Sequence, residues 1–162
     1  MKKIGQTGFS VSPLHRRDVD EISRKVASMD PWLTLGYRQE ALAYYLLHAD
    51  PALKRFSISS GQGVAGVLSV RYPWLFGPFI ELLALFDGYR GQGLGRRLIE
   101  WTCSQFESSN VWATVSSFNQ EAQKFYTRVG FEKTALLDDL IMPGWDEILL
   151  RKRTRKADSA GK

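Results

Sequence analysis

Apolar residues in the first third of the chain follow a helical spacing. Between residues 16 and 29 they recur every three or four positions, at Val19, Ile22, Val26 and Met29. This spacing predicts a helix that stops at the following Asp-Pro pair. A second helix is predicted over residues 37–50, because Pro51 ends the next helical pattern.

The pattern changes to short apolar runs after residue 53. Residues 54–60 and 63–70 predict two strands joined by a glycine-containing turn, which is typical of a hairpin. Residues 71–79, "RYPWLFGPF", predict an aromatic loop because they include two prolines. Residues 80–86, "IELLALF", are nearly all apolar and predict a central strand covered on both faces.

Helices and strands alternate in the second half. Helices are predicted over residues 93–106 and 119–130, the latter with Asn119 as its N-cap and Gly130 as its stop. Strands are predicted over residues 111–117, 131–137 and 146–153. This order predicts the α/β class, with a mixed sheet and helices on both of its faces.

Composition limits the class of protein. The 162 residues fit one domain, and 44% hydrophobic with 24% charged residues is typical of a globular protein. No apolar run could cross a bilayer, and the N-terminal residues lack the apolar core of a signal peptide. The single cysteine, Cys103, excludes an internal disulfide and is expected to be a packed helix residue. We therefore expect a cytoplasmic protein without a membrane partner.

The net charge of +5 comes from one C-terminal cluster. Without its five basic residues, 17 basic residues balance 17 acidic ones, so the body of the chain is neutral. We predict one domain over residues 1–153 and a solvated basic tail over 154–162. The neutral body argues against nucleic acid as a partner, although a polyanion contact stays open for the cluster. Its members are Arg151, Lys152, Arg153, Arg155 and Lys156.

The stretch "DGYRGQGLGRRLIEW" places three alternating glycines between the apolar strand and a helix. Glycine permits positive φ and a close approach of the backbone to a ligand. Amides at a helix start point the same way, at the positive end of the helix dipole, and therefore bind anions. The arginines Arg90, Arg96 and Arg97 add full charges. The stretch predicts a polyphosphate site, most simply for a pyrophosphate.

Two common phosphate motifs do not fit these glycines. A P-loop requires Gly-Lys-Ser/Thr, whereas Gly95 is followed by two arginines. A dinucleotide fold requires the spacing G-x-G-x-x-G and a carboxylate on the next strand, and residues 111–116 contain none. A plain glycine turn with solvated arginines is the structural alternative.

Two motifs resemble the GNAT superfamily of acetyl-CoA-dependent N-acetyltransferases. Arg-x-x-Gly-x-Gly, from Arg90 to Gly95, is similar to its acyl-CoA loop. The stretch "NQEAQKFYTRVGF" is similar to its second signature, with matches at Asn119, Ala122, Phe125, Tyr126, Gly130 and Phe131. The resemblance covers about residues 54–153, whereas the first fifty residues fit the family's opening helices only loosely.

The resemblance implies a GNAT-like fold in which two middle strands splay apart and admit the pantetheine arm of acetyl-CoA. It implies direct transfer of the acetyl group to an amine in a ternary complex, without a metal. The residues that would bind the cofactor are Leu83, Ala84, Leu85, Arg90, Gly91, Gln92, Gly93, Leu94, Gly95, Arg96, Asn119 and Tyr126.

The resemblance also implies catalytic roles. The amide of Leu85 would bind the thioester carbonyl, and Tyr126 would protonate the departing thiolate. Alternation along the strand would place Glu81 on the same face as Leu85, and polyamine-type members carry a similar glutamate as the base. A solvated carboxylate is the alternative for Glu81. Some protein-terminus acetyltransferases have a glutamate where Thr114 stands here, which weakens a protein N-terminus as the acceptor.

The acceptor pocket is predicted from two aromatic segments, residues 29–37 and 71–79. Their aromatic residues would surround a small-molecule or peptide amine, or they would instead form core or the subunit contact of a homodimer. These residues are Trp32, Tyr37, Tyr72, Trp74 and Phe76. A non-catalytic acyl-CoA-binding sensor is the alternative function for the whole chain.

Overall fold

The computed structural model describes residues 2–3, 8–106 and 108–154. They form one eight-stranded sheet with the order β1-β2-β3-β4-β5-β6-β8-β7. The strands are β1 (Lys2–Lys3), β2 (Ser10–Pro13), β3 (Leu53–Ser60), β4 (Gly63–Trp74), β5 (Gly77–Leu85), β6 (Asn110–Ser116), β7 (Glu132–Met142) and β8 (Trp145–Arg153). The helices are α1 (Val19–Ala27), α2 (Gln39–Leu47), α3 (Leu94–Gln105) and α4 (Gln120–Arg128).

The pairing of β5 with β6 is parallel and short. All the other neighbouring strands are antiparallel. β5 and β6 pair only at Phe79 with Trp112 and at Ile80 with Ala113, although the strands continue to Leu85 and Ser116. The two strands therefore separate beyond their second pair, which confirms the splayed middle of the predicted sheet.

Helices cover both faces of the sheet, as predicted. The amphipathic helix α1 packs with α2 against one face, where Val67 and Leu82 are buried. Helices α3 and α4 pack against the other face, where Leu68 and Ile80 are buried. We refer to these as the α1–α2 face and the α3–α4 face.

The segment 71–79 is a hairpin, not the predicted loop. β4 continues to Trp74, which pairs with Gly77 at the start of β5. The ladder is irregular between Arg71 and Trp74, and an irregular ladder tolerates the intervening proline. The Trp74 ring stacks on Phe79 and meets the ring of Trp112 edge-on, which anchors the hairpin. Aromatic packing therefore overrides the loop signal of the prolines.

The first three residues of the basic cluster are part of the sheet, in agreement with the strand predicted over residues 146–153. Arg151 to Arg153 pair with β6. Arg151 donates from Nε to Asn110 Oδ1 at 2.7 Å and stacks its guanidinium over Trp112. Lys152 donates from Nζ to the carbonyl of Val129 at 2.5 Å. Arg155 and Lys156 lie outside the described residues.

Two further predictions concern Cys103 and membrane-spanning helices. Cys103 is half-buried against the α3–α4 core, as expected, and burial raises the pKa of its thiol. Among the described residues, no helix combines the length and apolar character needed to cross a bilayer.

Truncation within the basic cluster tests its place in the sheet. Ending the chain after Leu150 removes the β8 partners of Val111 and Trp112 in β6, so we expect the melting temperature to fall by about 10 °C or more. Ending it after Thr154 keeps these pairs and should shift the melting temperature by only a few degrees. Calorimetry on both proteins measures the difference. Equal melting temperatures would contradict the structural role of Arg151 to Arg153.

Candidate active site

The separated edge of β5 exposes backbone hydrogen-bonding groups. The amide of Phe86 donates to the carbonyl of Ala65 at 2.9 Å, on the β4 side. Backbone groups alternate between the two edges of a strand, so the amide of Leu85 points to the β6 side. No described residue of β6 pairs with β5 beyond Ile80. An extended ligand could therefore pair with β5 along Leu83 to Leu85.

The glycine loop leads into the start of α3 and leaves open space around two of its glycines. Gly91 and Gly93 have φ of 73° and 74°, and an added Cβ would meet no atom within 4 Å at either position. Gly93 is the N-cap of α3 and has no side chain that could cap the helix. The first amides of α3 therefore remain available to a phosphate at the positive end of the helix dipole.

Gly95 has a different role from the other two glycines. A Cβ at this position would lie 3.0 Å from the Phe125 ring of α4 and 3.7 Å from Leu85 Cδ1. Its absence lets α3 approach α4 and the end of β5 closely. Gly95 therefore has a packing role, and its predicted contact with the cofactor stays a prediction.

The side chains of the loop divide between structural and exposed positions. Arg90 donates from Nε to the carbonyl of Leu85 at 2.8 Å, and its Nη2 lies 3.9 Å from Met29 Sδ. Gln92 donates to the carbonyl of Gly88 at 2.7 Å, which braces the turn. Arg96 is exposed and pairs with Glu100 at 3.0 Å, and Arg97 is exposed as well. Arg96 and Arg97 are therefore accessible to a phosphate.

A cavity of about 650 Å³ connects the glycine loop with the separated strands. Its walls include Leu83 to Leu85, the first turn of α3, one side of α4 and the segment from Met29 to Trp32. It brings together most of the predicted cofactor residues, namely Leu83, Ala84, Leu85, Arg90, Gly91, Gly93, Leu94, Gly95, Arg96, Asn119 and Tyr126. Gln92 and Glu81 are not in its lining.

Asn119 and Tyr126 line the cavity from α4. The Asn119 Oδ1 accepts a hydrogen bond from the amide of Ala122 at 3.1 Å, which confirms the predicted N-cap. Tyr126 is buried between the rings of Phe125 and Phe131. Burial raises the pKa of the Tyr126 hydroxyl, so the phenol keeps its proton at neutral pH.

Glu81 lies at a β-bulge, and the prediction from alternation is wrong. Ser69 pairs with Leu82 and Val70 pairs with Ile80, so Glu81 is the extra residue of β5. Leu83 and Leu85 pack against the α3–α4 core. The Glu81 carboxylate therefore lies on the opposite face of β5 from Leu83 and Leu85. There it contacts Arg71, next to α2.

Glu81 is part of an ion-pair network and is not a solvated carboxylate. Arg71 donates to both oxygens of Glu81, at 2.7 Å from Nε and 3.3 Å from Nη2. Its Nη1 donates to Asp50 at 2.8 Å, just after α2. The Arg55 guanidinium lies nearby, over the Tyr45 ring of α2. Two arginines therefore balance two carboxylates in this cluster.

The structure reveals a second carboxylate that the sequence analysis missed. Glu147 of β8 pairs with Ser116 of β6 and is only 3% exposed. Ser116 Oγ donates to Glu147 Oε1 at 2.5 Å. Burial raises the pKa of the Glu147 carboxyl, although the Ser116 hydrogen bond partly offsets the rise. No signal in the sequence marks Glu147, because its surroundings depend on the register of two distant segments.

The two aromatic segments lie at different ends of the sheet. Trp32 lines the cavity, and burial, with smaller contributions from Glu147 and Glu81, raises the pKa of the Tyr37 hydroxyl. The tip of the 71–79 hairpin instead lies just before the first residue of β5. The cavity adjoins the last three residues of β5, at the opposite end of the strand. The prediction that 71–79 lines the acceptor pocket is therefore not supported. A subunit contact through the exposed tip, Leu75 and Phe76, stays a prediction.

Comparisons with known proteins agree with this architecture. The model of the acetyltransferase (GNAT) family matches residues 18–131. An acetyltransferase from Thermus thermophilus has 21% identity and a TM-score of 0.73, with 90% of this chain and 97% of that chain covered. A GNAT-family acetyltransferase from Bacillus cereus has 16% identity and a TM-score of 0.70, with 91% and 99% covered.

A third similar structure contains ligands. Spermidine N-acetyltransferase from Vibrio cholerae, in complex with CoA and spermine, has 17% identity and a TM-score of 0.69, with 91% of this chain and 96% of that chain covered. No curated protein sequence matches the chain. At these identities the structures establish the fold, and the family model, which spans more than half of the chain, establishes the family. The chain therefore belongs to the GNAT family of acetyltransferases.

Proposed function

We propose that this acetyltransferase transfers the acetyl group of acetyl-CoA directly to a primary amine. The observation that carries the proposal is the cavity that joins the glycine loop to the separated edge of β5. One continuous space thus contains an anion site, a free strand edge and a buried phenol. The Vibrio cholerae enzyme, whose name describes an amine acceptor, supports this acceptor class.

The residues of the cavity have distinct roles in this reaction. The first amides of α3, with Arg96 and Arg97, bind the pyrophosphate of acetyl-CoA. The backbone of Leu83 to Leu85 pairs with the pantetheine arm as an added strand would. The Leu85 amide donates to the thioester carbonyl and stabilises the negative charge that develops on its oxygen.

Tyr126 supplies the proton for the leaving group. Its buried hydroxyl lies in the cavity wall and stays protonated at neutral pH. The thiol of free CoA is weakly acidic, so the thiolate that leaves gains from a proton or a strong hydrogen bond. Asn119 adds a polar contact to the arm from the start of α4. A non-catalytic acyl-CoA sensor would share the binding residues but would not need the phenol.

An acceptor screen tests the function. We expect wild-type protein to release thiol from acetyl-CoA only when a suitable primary amine is present. The panel comprises benzylamine, tryptamine, spermidine, an aminoglycoside and a lysine-containing peptide, and mass spectrometry identifies the acetylated product. CoA binding without thiol release for any amine would favour the sensor.

Replacement of a loop glycine tests the pyrophosphate site. Gly93→Val places a side chain at positive φ in the cavity wall, and we expect CoA affinity to fall at least about tenfold, or about 1.4 kcal/mol. Gly144→Val is the matched control, since Gly144 also has positive φ with open space around it but lies in the β7–β8 turn. Calorimetric titration of both folded variants measures the difference. Unchanged affinity in Gly93→Val would limit Gly93 to a role in the turn.

Tyr126→Phe tests the acid. The substitution removes one oxygen and keeps the ring contacts with Phe125 and Phe131, so folding and CoA binding should survive. We expect kcat to fall by about ten- to a thousandfold, because the thiolate must leave without its proton donor. Steady-state kinetics with the best amine of the panel measures the effect. Full activity in the variant would exclude Tyr126 as the acid.

A further inference from the structure

The buried carboxylate of Glu147 has no cationic partner among the described residues. Within residues 2–3, 8–106 and 108–154 its side chain forms no salt bridge, and Ser116 is its hydrogen-bond donor. A buried carboxylate normally has a cation or several donors, because desolvation of an unpaired charge is costly. A single hydrogen bond from the neutral Ser116 hydroxyl therefore offsets little of the cost of burying this carboxylate.

Glu147 lies on the face of the sheet opposite the α3–α4 core. In β6, Val111, Ala113 and Val115 belong to that core, so the alternating residues Thr114 and Ser116 point to the other face. In β8, Ile148 and Leu150 belong to the same core, which puts Glu147 beside Ser116 on the opposite side. This is the face on which α1, α2 and their connection lie.

The position of Glu147 along the sheet is next to the separated strands. Its partner Ser116 is the last residue of β6, three residues beyond the final pair with β5. Tyr37, from the connection between α1 and α2, is close enough for both Glu147 and Glu81 to raise the pKa of its hydroxyl. Three elements thus converge on the side of the opening away from α3 and α4.

Glu81 and Glu147, the two carboxylates on this side of the sheet, differ in their hydrogen-bond partners within the protein. Both oxygens of Glu81 accept hydrogen bonds from Arg71, whose charge is shared with Asp50. With Arg55 included, that cluster is electrically neutral. Glu147 has no comparable cationic partner in the part of the chain that the structure describes. Glu147 is only 3% exposed and lies behind the cavity lining, beside the end of β6, so among the described residues it is the carboxylate near the opening that a cationic acceptor could pair with.

We propose that Glu147 binds the ammonium group of the acceptor and removes its proton, and that Glu81 is a positioning residue that holds Arg71. This inference rests on the proposed acetyl transfer. It assigns proton removal to a residue of β8, and it names the acetyl acceptor as a primary alkylammonium whose positive charge pairs with Glu147.

The proton balance of the step is complete. One proton passes from the ammonium to Glu147, and the free amine attacks the thioester carbon. A C–N bond forms, the C–S bond breaks with its electron pair on sulfur, and Tyr126 protonates the thiolate. The second proton leaves the nitrogen and restores the Tyr126 hydroxyl through solvent. Glu147 then releases its proton to solvent, so each turnover releases one proton.

Glu147→Gln is the decisive variant, since Gln keeps the shape and can still accept the Ser116 hydrogen bond. The pKa of Glu147 is raised on folding, so ionisation of the native carboxyl costs stability as the pH rises through that pKa. Gln does not ionise. We therefore expect the variant to fold, with an equal or higher melting temperature at pH 8.

The kinetic test compares pH profiles for the best amine of the panel. Wild-type kcat/KM should rise with pH through an acid limb above the usual glutamate range, because Glu147 must be ionised. In Glu147→Gln, kcat/KM at pH 7 should fall about a hundredfold or more. The deficit should shrink from pH 7 to 9, as free amine becomes available. Among the described residues, Ser116 donates a hydrogen bond to Glu147, and Tyr37 is the titratable group whose pKa Glu147 raises.

Two matched variants separate this role from others. Glu132→Gln removes an exposed carboxylate of β7 and should leave the profile unchanged. Glu81→Gln should lower the melting temperature and scale kcat/KM down by a similar factor at every pH. Wild-type-like kcat/KM in Glu147→Gln, or pH-dependent recovery in Glu81→Gln alone, would overturn the assignment of Glu147. Absence of transfer by wild type to every amine, with CoA still bound, would instead overturn the proposed function itself.

Discussion

The separation of β5 and β6 after two residue pairs is the constraint on which the rest of the site depends. Interior strands normally satisfy their backbone groups with a neighbour, and an unpaired edge is costly or reactive. Here the unpaired edge faces a cavity between helices, where it is shielded from other chains. The opening links the two faces of the sheet, so a cofactor held on the α3–α4 face can present its acyl group to the α1–α2 face.

Local sequence signals predicted the elements that line the cavity. The glycine loop, the Asn119 cap and the helix that carries Tyr126 are specified within a few consecutive residues, and the structure places them in one cavity. The pairing of distant segments was much less accessible. Glu147 meets Ser116 across 31 positions of sequence, and nothing near either residue signals the contact.

Departures from regular patterns account for the other errors. A single bulge at Glu81 reversed the face deduced from strict alternation, and a bulge leaves no clear mark in an apolar run. Two prolines suggested a loop where aromatic packing around Trp74 maintains a hairpin.

Gly95 sets the distance between α3 and α4 as well as the contact with Phe125. Because a single methyl group there would already reach the Phe125 ring, the spacing between α3 and α4 is set by the absence of one carbon atom. Leu85 touches the same position from β5. The width of the space for an extended ligand therefore depends on this one residue. Any larger side chain there would widen that space and move the strand edge away from its ligand.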